Sequence, residues 1–508
     1  MKFRSLKAES RRSDSFASQR KASAKKGKRP AIKNAAKEAA KSVSKNGLKA
    51  ATRPKSRKSK TKAEVPLRAI PPAAADVPTY LAEPLTEPPR LGVANAGDHH
   101  GVHQFLTAVF RGPSRDSFLS TLDDPFYEPC DRLLIKSGDI ILSHAHLTKR
   151  AMCFNGVTLP VGGLNWVGTL PEFRGRGHAS SLVRLAERRM VEDGAVAGLL
   201  RTQSPHFFRR EGWAVCGRHS HSQADTREVL AQLSNQAAAL DPNAVGLSIR
   251  PWRQVELPAL MRLYSRHTTH RAGALARSEA YWRWLVSCKV FDQVFVAIHG
   301  PDRWELEDDH SPIVGYVIIK DNQILEMMTD PAYPRAATGL VARACGEALE
   351  RDLTSVTFHA PVDNPVHHLF LKANGRQHHH EAHQGEVFMM KLFDPVHFLR
   401  AMCGELHARA DAAALPRPCE LGLRVEDHKM RLAFSRRSVK LIRGKLGRGY
   451  LDFNIADFTR LVMGHLDLDQ AVKAGRVSTS TRTALQTARA AFPRFPLWRS
   501  PVDDLLGT

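Results

Sequence analysis

The sequence predicts a mixed α/β protein of several domains that follow a strongly basic segment. Three observations support this fold class. A length of 508 residues corresponds to about three domains of ordinary size. Hydrophobic residues make up 43% of the chain, which is enough to form buried cores. An apolar strand near residues 165–170 also runs through a glycine-rich turn into an amphipathic helix, as in an α/β unit.

The basic segment comes first in the chain. Residues 1–62 hold 22 lysines and arginines and three acidic residues, which leaves 53 basic and 48 acidic residues in the rest. With almost no large apolar side chains, residues 1–64 are expected to be a disordered tail, and the proline-rich residues 65–90 a linker. Such a tail would bind nucleic acid or another polyanion without base preference. A merely solvated tail and an extension ahead of the true start codon remain alternatives.

The composition also bears on the compartment. No run of about 18 apolar residues is present, so no transmembrane helix is expected. The seven cysteines are scattered and form no Cys-x-x-Cys pair, which is typical of reduced thiols. The N-terminus has no apolar core of a secretion signal. These features together predict a cytoplasmic protein.

The turn after the apolar strand reads Arg174-Gly-Arg-Gly177-His-Ala179 and precedes a helix with an apolar face. Gly175 and Gly177 let the backbone approach an anion closely. The free N–H groups and the dipole of the following helix attract the same anion. A Walker loop would end in Gly-Lys-Ser/Thr, and a dinucleotide fingerprint would have glycine where Ser180 stands. The turn therefore predicts a pyrophosphate cradle, the alternative being an ordinary helix-start turn.

This turn resembles the Arg/Gln-x-x-Gly-x-Gly/Ala motif of the GCN5-related N-acetyltransferases (the GNAT superfamily), which bind the pyrophosphate of acetyl-CoA. A second strand, residues 195–201, leads to Phe208-Arg-Arg-Glu-Gly212-Trp213, which resembles the Tyr-x-x-x-Gly-aromatic signature of the same family. From about Leu91 onward the chain resembles the enhanced-intracellular-survival (Eis) type. Proteins of that type have two tandem GNAT folds, each a mixed twisted sheet flanked by helices, and an α+β domain like a sterol carrier protein.

The resemblance implies a domain layout. Residues 91–246 form the acetyl-CoA-binding GNAT domain, residues 247–393 a second, degenerate one, and residues 394–508 the sterol-carrier-like domain. In the second unit, residues 330–339 stand in place of the cradle, but their glycine spacing is wrong and Pro331 and Pro334 stiffen the approach. This second unit is expected to be catalytically silent.

The resemblance also implies acetyl-CoA as co-substrate and assigns its contacts. The acetyl and pantetheine end would lie on the strand at Val167, Gly168 and Thr169. The pyrophosphate would lie on Gly175, Arg176, Gly177, His178, Ala179 and Ser180, and further contacts would come from Gln203 and Ser204. Two interpretations of Arg174 stay open: its guanidinium contacts the phosphate, or it braces the turn by hydrogen bonds to backbone carbonyls.

The catalytic residues are less well defined. The family's Tyr, which protonates the leaving thiolate, is replaced by Phe208, which has no exchangeable proton. Water or His206 would then supply the proton, or the reaction would be slow. In the Eis type the C-terminal carboxylate enters the active site, which here implies Thr508; a frayed terminus is the alternative.

Histidines are abundant, but no metal is expected. The densest group is His378-His379-His380, with His367-His368 upstream. Alternation along a strand sends neighbouring side chains to opposite faces, so adjacent imidazoles seldom meet on one ion. His99, His100, His144 and His146 have weaker claims to a metal.

The function predicted is an acetyl-CoA-dependent N-acetyltransferase that transfers acetyl directly to a primary amine. The acceptor would be a small polyamine, an aminoglycoside-like compound or a lysine side chain, and the acidic Asp503-Asp504 would attract it. The alternative is a CoA-binding scaffold with weakened chemistry, tethered to a polyanion by its tail; Phe208 favours it, and the intact cradle favours the enzyme. The family's hexameric assembly implies a homo-oligomer.

Overall fold

The computed structural model describes residues 87–217, 219–238, 247–302, 312–383 and 385–504. The tail 1–64, most of the linker 65–90 and Thr508 lie outside the described residues. Within them, the strands in chain order are β1 (Arg90–Val93), β2 (Arg132–Ser137), β3 (Ile140–Phe154), β4 (Val157–Thr169), β5 (Ala197–Thr202), β6 (Ala214–Val215), β7 (His219–Asp225), β8 (Leu247–Pro251), β9 (Gln293–His299), β10 (Ile313–Lys320), β11 (Gln323–Thr329), β12 (Ser355–His359), β13 (Arg376–His380), β14 (Ala382–His383), β15 (Glu386–Leu392), β16 (Cys419–Val425), β17 (His428–Phe434), β18 (Val439–Arg443), β19 (Tyr450–Phe453) and β20 (Ser478–Thr479).

The α-helices alternate with these strands. In chain order they are α1 (His99–Phe110), α2 (Arg115–Leu122), α3 (His178–Glu192), α4 (Pro205–Arg210), α5 (Thr226–Ala238), α6 (Leu257–Thr268), α7 (Glu279–Ser287), α8 (Pro334–Glu350), α9 (His367–Lys372), α10 (Pro395–Ala401), α11 (Cys403–Ala412), α12 (Ile455–Val462), α13 (Leu468–Lys473) and α14 (Arg482–Ala491).

The strands form three mixed sheets. The first has the order β1-β2-β3-β4-β5-β15-β14, with β6 also paired to β15. The second runs β13-β7-β12-β11-β10-β9-β8, and the third β18-β17-β16-β19-β20. Each sheet has one parallel pair, β4 with β5, β11 with β12 and β16 with β19, among antiparallel neighbours. The predicted fold class, mixed sheets with flanking helices, is confirmed.

Three strands lie in a different sheet from the one that the predicted boundaries would give them. β7 belongs to predicted domain 91–246, yet it pairs with β12 and β13 of the second sheet. β14 and β15 belong to predicted domain 247–393, yet they lie in the first sheet, where β15 pairs with β5 from Val387 to Leu392. Each unit thereby gives the other a strand that covers a sheet edge, which would otherwise expose unpaired backbone groups. The first two units are therefore interleaved along the chain.

Helix α3 packs closely on β4 and so fixes the position of its own N-terminus. Its apolar face buries Leu182, Val183, Ala186 and Met190. Gly162 of β4 faces this helix, and a Cβ there would lie 2.4 Å from Cγ of Met190. Only glycine permits this close approach.

The second unit lacks a comparable cradle at the start of its helix α8. The carboxylate of Asp330 lies just ahead of that helix, where it accepts from the amide of Ala332 (3.0 Å) and from Arg266 (2.7 Å). Gly339 lies inside α8 and serves packing, because a Cβ there would lie 2.9 Å from Ile249. A carboxylate paired with Arg266 thus precedes this helix in place of a glycine turn, and the catalytic silence of this unit stays a prediction.

Two further sequence predictions bear on the described residues. In that part of the chain no helix combines the length and the apolar character needed to cross a membrane. All seven cysteines are unpaired, and Cys153, Cys216 and Cys345 are buried.

Candidate active site

The strands β4 and β5 separate after a short parallel contact. Their pairing runs from Val161 with Ala197 to Gly163 with Leu199, so Leu164–Thr169 continue beyond the register with β5. A bulge in the pairing with β3 lies in this stretch, where Trp166 has a φ of 52°. The two strands therefore part in a V-shaped opening. On its β4 side, the backbone of Leu164–Thr169 has no registered pairing with β5.

A buried histidine supports the bulge from behind. Nδ1 of His144 lies 3.0 Å from the carbonyl oxygen of Trp166, and Nη1 of Arg132 lies 3.3 Å from its Nε2. Burial, and then the charge of Arg132, lowers the pKa of His144 to about 3. The imidazole is therefore neutral near neutral pH and can donate a hydrogen bond to the bulge carbonyl while accepting one from the guanidinium.

The glycine turn forms an open concavity at the end of the same strand. Gly175 and Gly177 have φ values of 78° and 80°, in the left-handed region that favours glycine. A Cβ at either position would meet no heavy atom within 4 Å, so the space in front of both is open. Helix α3 begins at His178, and the helical pattern leaves the amides of its first turn without an acceptor four residues earlier. These amides surround the space beside the glycines.

Two side chains of the turn have defined roles. Nε of Arg174 donates to the carbonyl oxygen of Thr169 at 3.2 Å. This is the structural role, a brace on a backbone carbonyl, that was one of the two interpretations of Arg174. Arg176 places its guanidinium carbon 5.0 Å from the ring centre of Phe173. Arg174 therefore stiffens the turn through its hydrogen bond to Thr169, and Arg176 places its positive charge over the ring of Phe173 in the same turn.

His178 adds a polar atom without a partner. Its Nε2 is buried and has no hydrogen-bond partner among the described residues. Burial, and then the charge of Arg176, lowers the pKa of His178. A neutral imidazole at the helix start can still donate one N–H to an anion in the turn. Together with the open space at both glycines, this orphaned nitrogen fits a bound pyrophosphate.

The second motif lies on α4 and the residues after it. Phe208 is buried and packs against Phe207, with ring centres 4.9 Å apart, and against Trp213 at 6.3 Å. Trp213 is fully buried and donates through Nε1 to Glu187 of α3 at 2.8 Å. This signature therefore forms part of the core that joins α3 to α4.

The remaining predicted residues of this segment lie at its surface. Gln203 and Ser204 are exposed at the end of β5, and the amide of Ser204 donates to the hydroxyl of Thr202 at 2.9 Å. His206 is exposed on α4. Both Gln203 and His206 are thus accessible to a ligand from solvent.

A small cavity lies at the point where β4 and β5 part. Its volume is about 60 Å³. Its walls come from five parts of the chain: Thr121 and Asp124 at the end of α2, His146 of β3 with Asn165 of β4, Leu199–Arg201 of β5, Tyr281 and Trp284 of α7, and Val502–Asp504. A second cavity of about 310 Å³ shares Arg201, Arg499 and Asp504 with it.

A buried ion cluster fixes the C-terminal segment in this place. The guanidinium of Arg277 binds Glu326 (2.7 Å) on one side and Asp503 (2.8 Å) on the other, and all three side chains are fully buried. Burial alone would lower the pKa of Arg277, but the carboxylates of Asp503 and Glu326 raise it well above its ordinary value. The next residue, Asp504, binds Arg201 at 3.3 Å and Arg499 at 3.0 Å.

The ion pairs of Asp503 and Asp504 argue against the expectation that these residues attract a cationic acceptor. Asp503 is neutralised by Arg277, and Asp504 lies between two arginines. Because their charges are compensated, these two carboxylates do not form a free anionic surface for a cationic acceptor.

The sequence did not reveal several residues that the structure places at or behind the cavity. His146 lines the cavity, whereas Arg277 and Glu326 do not line it but hold its wall residue Asp503 in place. The one available signal was the pair His144 and His146, an i, i+2 pattern that places two polar side chains within an apolar strand. Burial, then nearby Arg132, lowers the pKa of His146 well below its ordinary value, so this cavity residue is neutral.

Comparisons with known proteins agree with this geometry. Residues 92–216 match the family model of the acetyltransferase (GNAT) domain. No curated protein matches the chain in sequence. Similar solved structures include a GCN5-related N-acetyltransferase from Anabaena variabilis, with 16% identity, a TM-score of 0.63, and coverage of 81% of this chain and 99% of that one. Another from Kribbella flavida has 17% identity, a TM-score of 0.62, and coverage of 82% and 99%.

Eis1 from Mycobacterium abscessus is also similar, with 16% identity, a TM-score of 0.57, and coverage of 81% of this chain and 100% of that one. At such identities these structures establish the shared fold, including the tandem GNAT-like units. The likeness of residues 394–508 to a sterol carrier protein, the oligomeric state, the cytoplasmic location and polyanion binding by the tail stay predictions. The matched domain and the shared fold identify this chain as one that carries a GNAT-type acetyltransferase domain in residues 92–216.

Proposed function

We propose that the protein transfers an acetyl group from acetyl-CoA to a primary amine. The observation that carries this proposal is the opening between β4 and β5, which leads from the glycine cradle to a cavity beside the C-terminal segment. A thioester that lies along β4 would have its phosphates at the cradle and its acyl carbon near the cavity. The cradle, the opening and the cavity would thus follow one another in the order that the reaction requires.

The residues of the cradle fit the co-substrate. The pyrophosphate would be held by the amides from Gly175 to Ser180 and by the orphaned Nε2 of His178. Val167, Gly168 and Thr169 would offer backbone groups to the pantetheine arm, with Gln203 and Ser204 at its edge. Arg174 would act indirectly, through its bond to the carbonyl of Thr169.

Acetyl-CoA supplies an activated acyl group as a thioester; the nitrogen of the amine forms a bond to the carbonyl carbon, and the carbon–sulfur bond breaks. The protein must take a proton from the ammonium form of the acceptor and return one to the leaving thiolate. We propose the carboxylate of Thr508 for the first need, since the four residues after Asp504 could span up to about 14 Å when extended, far enough to reach the cavity that Asp504 lines. His146 also lines this cavity, but burial and the charge of Arg132 lower its pKa well below the ordinary value, so it is a poor acceptor for the proton of an ammonium group.

The second proton has no fixed donor at Phe208, because this buried phenyl ring has no exchangeable hydrogen. Exposed His206 or a water molecule would return it. A thiol with a pKa near 8.5 leaves as a thiolate without much help, so the reaction would proceed at a reduced rate.

The charges in the cavity bear on the acceptor. Asp124 pairs with Arg150, and Asp504 pairs with Arg201 and Arg499, so the walls are close to neutral. A volume of about 60 Å³ admits the narrow end of an aliphatic amine. A lysine side chain or a small monoamine therefore suits this cavity better than an aminoglycoside-like polycation, although both remain in the proposed class.

The test is amine-dependent release of CoA thiol by the full chain, with lysine peptides, small amines, polyamines and aminoglycosides as acceptors. Gly177→Glu should abolish release because a carboxylate would enter the cradle. Gly194→Glu is the matched control, since Gly194 has a similar φ of 84° and open space around it, but lies past the far end of α3. Acetyl-CoA binding without turnover on any amine would instead favour the scaffold alternative that Phe208 suggests.

A further inference from the structure

A cluster of histidines lies on one face of the second sheet, at its β13 end. Strand β7, which lies between β13 and β12, carries His219 and His221, and these two share a face because side chains alternate along a strand. In the neighbouring strands, His359 of β12 is paired with His221, while His378 and His380 of β13 are paired with His221 and His219. Five imidazoles from three adjacent strands therefore meet on the same face.

The alternation that argued against a metal in His378-His379-His380 has the opposite effect in the folded chain. It turns His379 away and directs His378 and His380 to the face that carries His219 and His221. The sequence could not show this, because the partner strand lies more than 150 residues earlier.

Three of the imidazoles have the spacing of a metal site. One ring nitrogen each from His219, His221 and His359 lies within 4.8 Å of the other two. Their ring centres are 5.1, 5.2 and 5.6 Å apart. Metal–nitrogen bonds of about 2.0–2.1 Å in a tetrahedral arrangement place ring centres about 5.2 Å apart. The side chains would need only small adjustments to bind one ion.

The hydrogen bonds of His359 indicate which of its ring nitrogens carries the proton. Its Nε2 lies 3.0 Å from Oε1 of Gln323, an acceptor, so this nitrogen carries the proton. Its Nδ1 then holds a lone pair, and that lone pair faces Nε2 of His219 at 3.2 Å. A second group that orients the imidazole in this way is typical of metal-binding histidines. A metal ion would take the place of the proton between the two rings, and that proton would move to the other nitrogen of His219.

We propose that His219, His221 and His359 bind a divalent transition-metal ion, Zn²⁺ in the first instance, with His380, which lies near both His219 and His221, as a candidate fourth ligand. The ring centre of His380 lies 6.0 Å from that of His219 and 5.8 Å from that of His221. Neutral imidazoles are ligands that Zn²⁺ prefers, and four of them complete a tetrahedral set.

The site lies next to the candidate active site but is independent of it. His219 and Gln323 line the 310 Å³ cavity that also contains Gln203, Arg201 and Asp504. A bound ion would link β7 to β12 and hold this wall of the cavity in place. The proposal does not depend on acetyl transfer, and its test does not require turnover.

The test uses the full chain, purified without a histidine tag and freed of metal with a chelator. Titration with Co²⁺, followed by its visible absorption, and competition for Zn²⁺ with a coloured chelator report stoichiometry and affinity. We expect one ion per chain, with the Co²⁺ spectrum of a tetrahedral site. His219→Ala and His359→Ala should each lower Zn²⁺ affinity by more than about 100-fold, and Gln323→Leu by about 10- to 100-fold.

His379→Ala is the control, because it removes an imidazole from β13, the strand that carries His380, but on the opposite face of the sheet, and it should leave the affinity unchanged. Gln323→Leu keeps all three ligands, so it tests the proposal even if a histidine variant unfolds. The proposal is overturned if the wild-type chain binds no Zn²⁺ at micromolar concentration. Equal affinities of wild type, His219→Ala and Gln323→Leu would overturn it as well, because binding would then come from other histidines.

Discussion

The buried cluster of Arg277, Glu326 and Asp503 predicts an asymmetry between two substitutions. Arg277 is the single cation between two carboxylates, and none of the three side chains is exposed to solvent. Arg277→Leu would leave both carboxylates buried without a cation. Asp503→Asn would leave a one-to-one pair of Arg277 and Glu326, and its amide oxygen can still accept a hydrogen bond from the guanidinium.

The magnitudes follow from these partners. Removal of one member of a buried ion pair costs about 3–5 kcal/mol. Arg277→Leu also loses the contacts of the guanidinium with the rings of Tyr264 (4.1 Å) and Trp282 (4.6 Å), which places it at the upper end. Asp503→Asn weakens charge-assisted hydrogen bonds and should cost about 1–2 kcal/mol. The expected gap of about 3 kcal/mol corresponds to about 6–12 °C in Tm for a cooperative unit of about 150–250 residues.

The assay is thermal unfolding followed by tryptophan fluorescence, with both variants and the wild type in the same buffer. We expect Arg277→Leu to unfold at a clearly lower temperature than Asp503→Asn. Asp503→Asn should keep most of the stability, yet slow amine-dependent CoA release, because it loosens the segment Val502–Asp504 that lines the cavity. Equal losses of Tm in the two variants would show that Arg277 does not compensate two carboxylates, and would refute this description of the cluster.

Three further results are expected. Gly177→Ala and Gly194→Ala place the same left-handed strain on an alanine and should each cost about 1–2 kcal/mol of stability, but only Gly177→Ala should weaken acetyl-CoA binding in calorimetry. The pKa values of His144 and His146 are lowered in the folded state, so the unfolded chain binds more protons as pH falls through about 6.5, and stability is lost. Urea unfolding should show a loss of about 2 kcal/mol in the free energy of unfolding between about pH 6.5 and 5.5. A variant with both histidines replaced by Gln should show a flatter dependence of stability on pH. Phe208→Tyr restores a phenol and should raise kcat by about tenfold with an unchanged KM for acetyl-CoA; a lower kcat would show that Phe208 serves packing alone.

The local features of the candidate site could be predicted from the sequence. The glycines at 175 and 177 predicted a tight strand-to-helix turn, and both have the positive φ that such a turn requires. Helix α3 buries four of the five residues of its predicted apolar face, while the fifth, Val191, is exposed. These predictions succeeded because turn conformation and helix periodicity depend on residues that are close in sequence.

The long-range features could not be predicted. The exchange of β7 and β15 between the first two sheets depends on which sheet edge each strand meets, and this is set by residues 130 or more positions away. The same holds for Arg277, whose partner Asp503 is separated from it by 226 residues. The sequence did not reveal the histidine cluster for the same reason. The register between neighbouring strands decides which side chains share a face.

The central claim is that acyl-CoA lies between β4 and β5 with its phosphates at the glycine turn. Hydrogen exchange of the backbone amides, measured by mass spectrometry with and without acetyl-CoA, tests this claim most directly. We expect slower exchange in the peptides that cover residues 164–169 and 175–181, and no change at the start of α8 in the second unit. Unchanged exchange in both peptides under saturating acetyl-CoA, or protection confined to the second unit, would contradict the account.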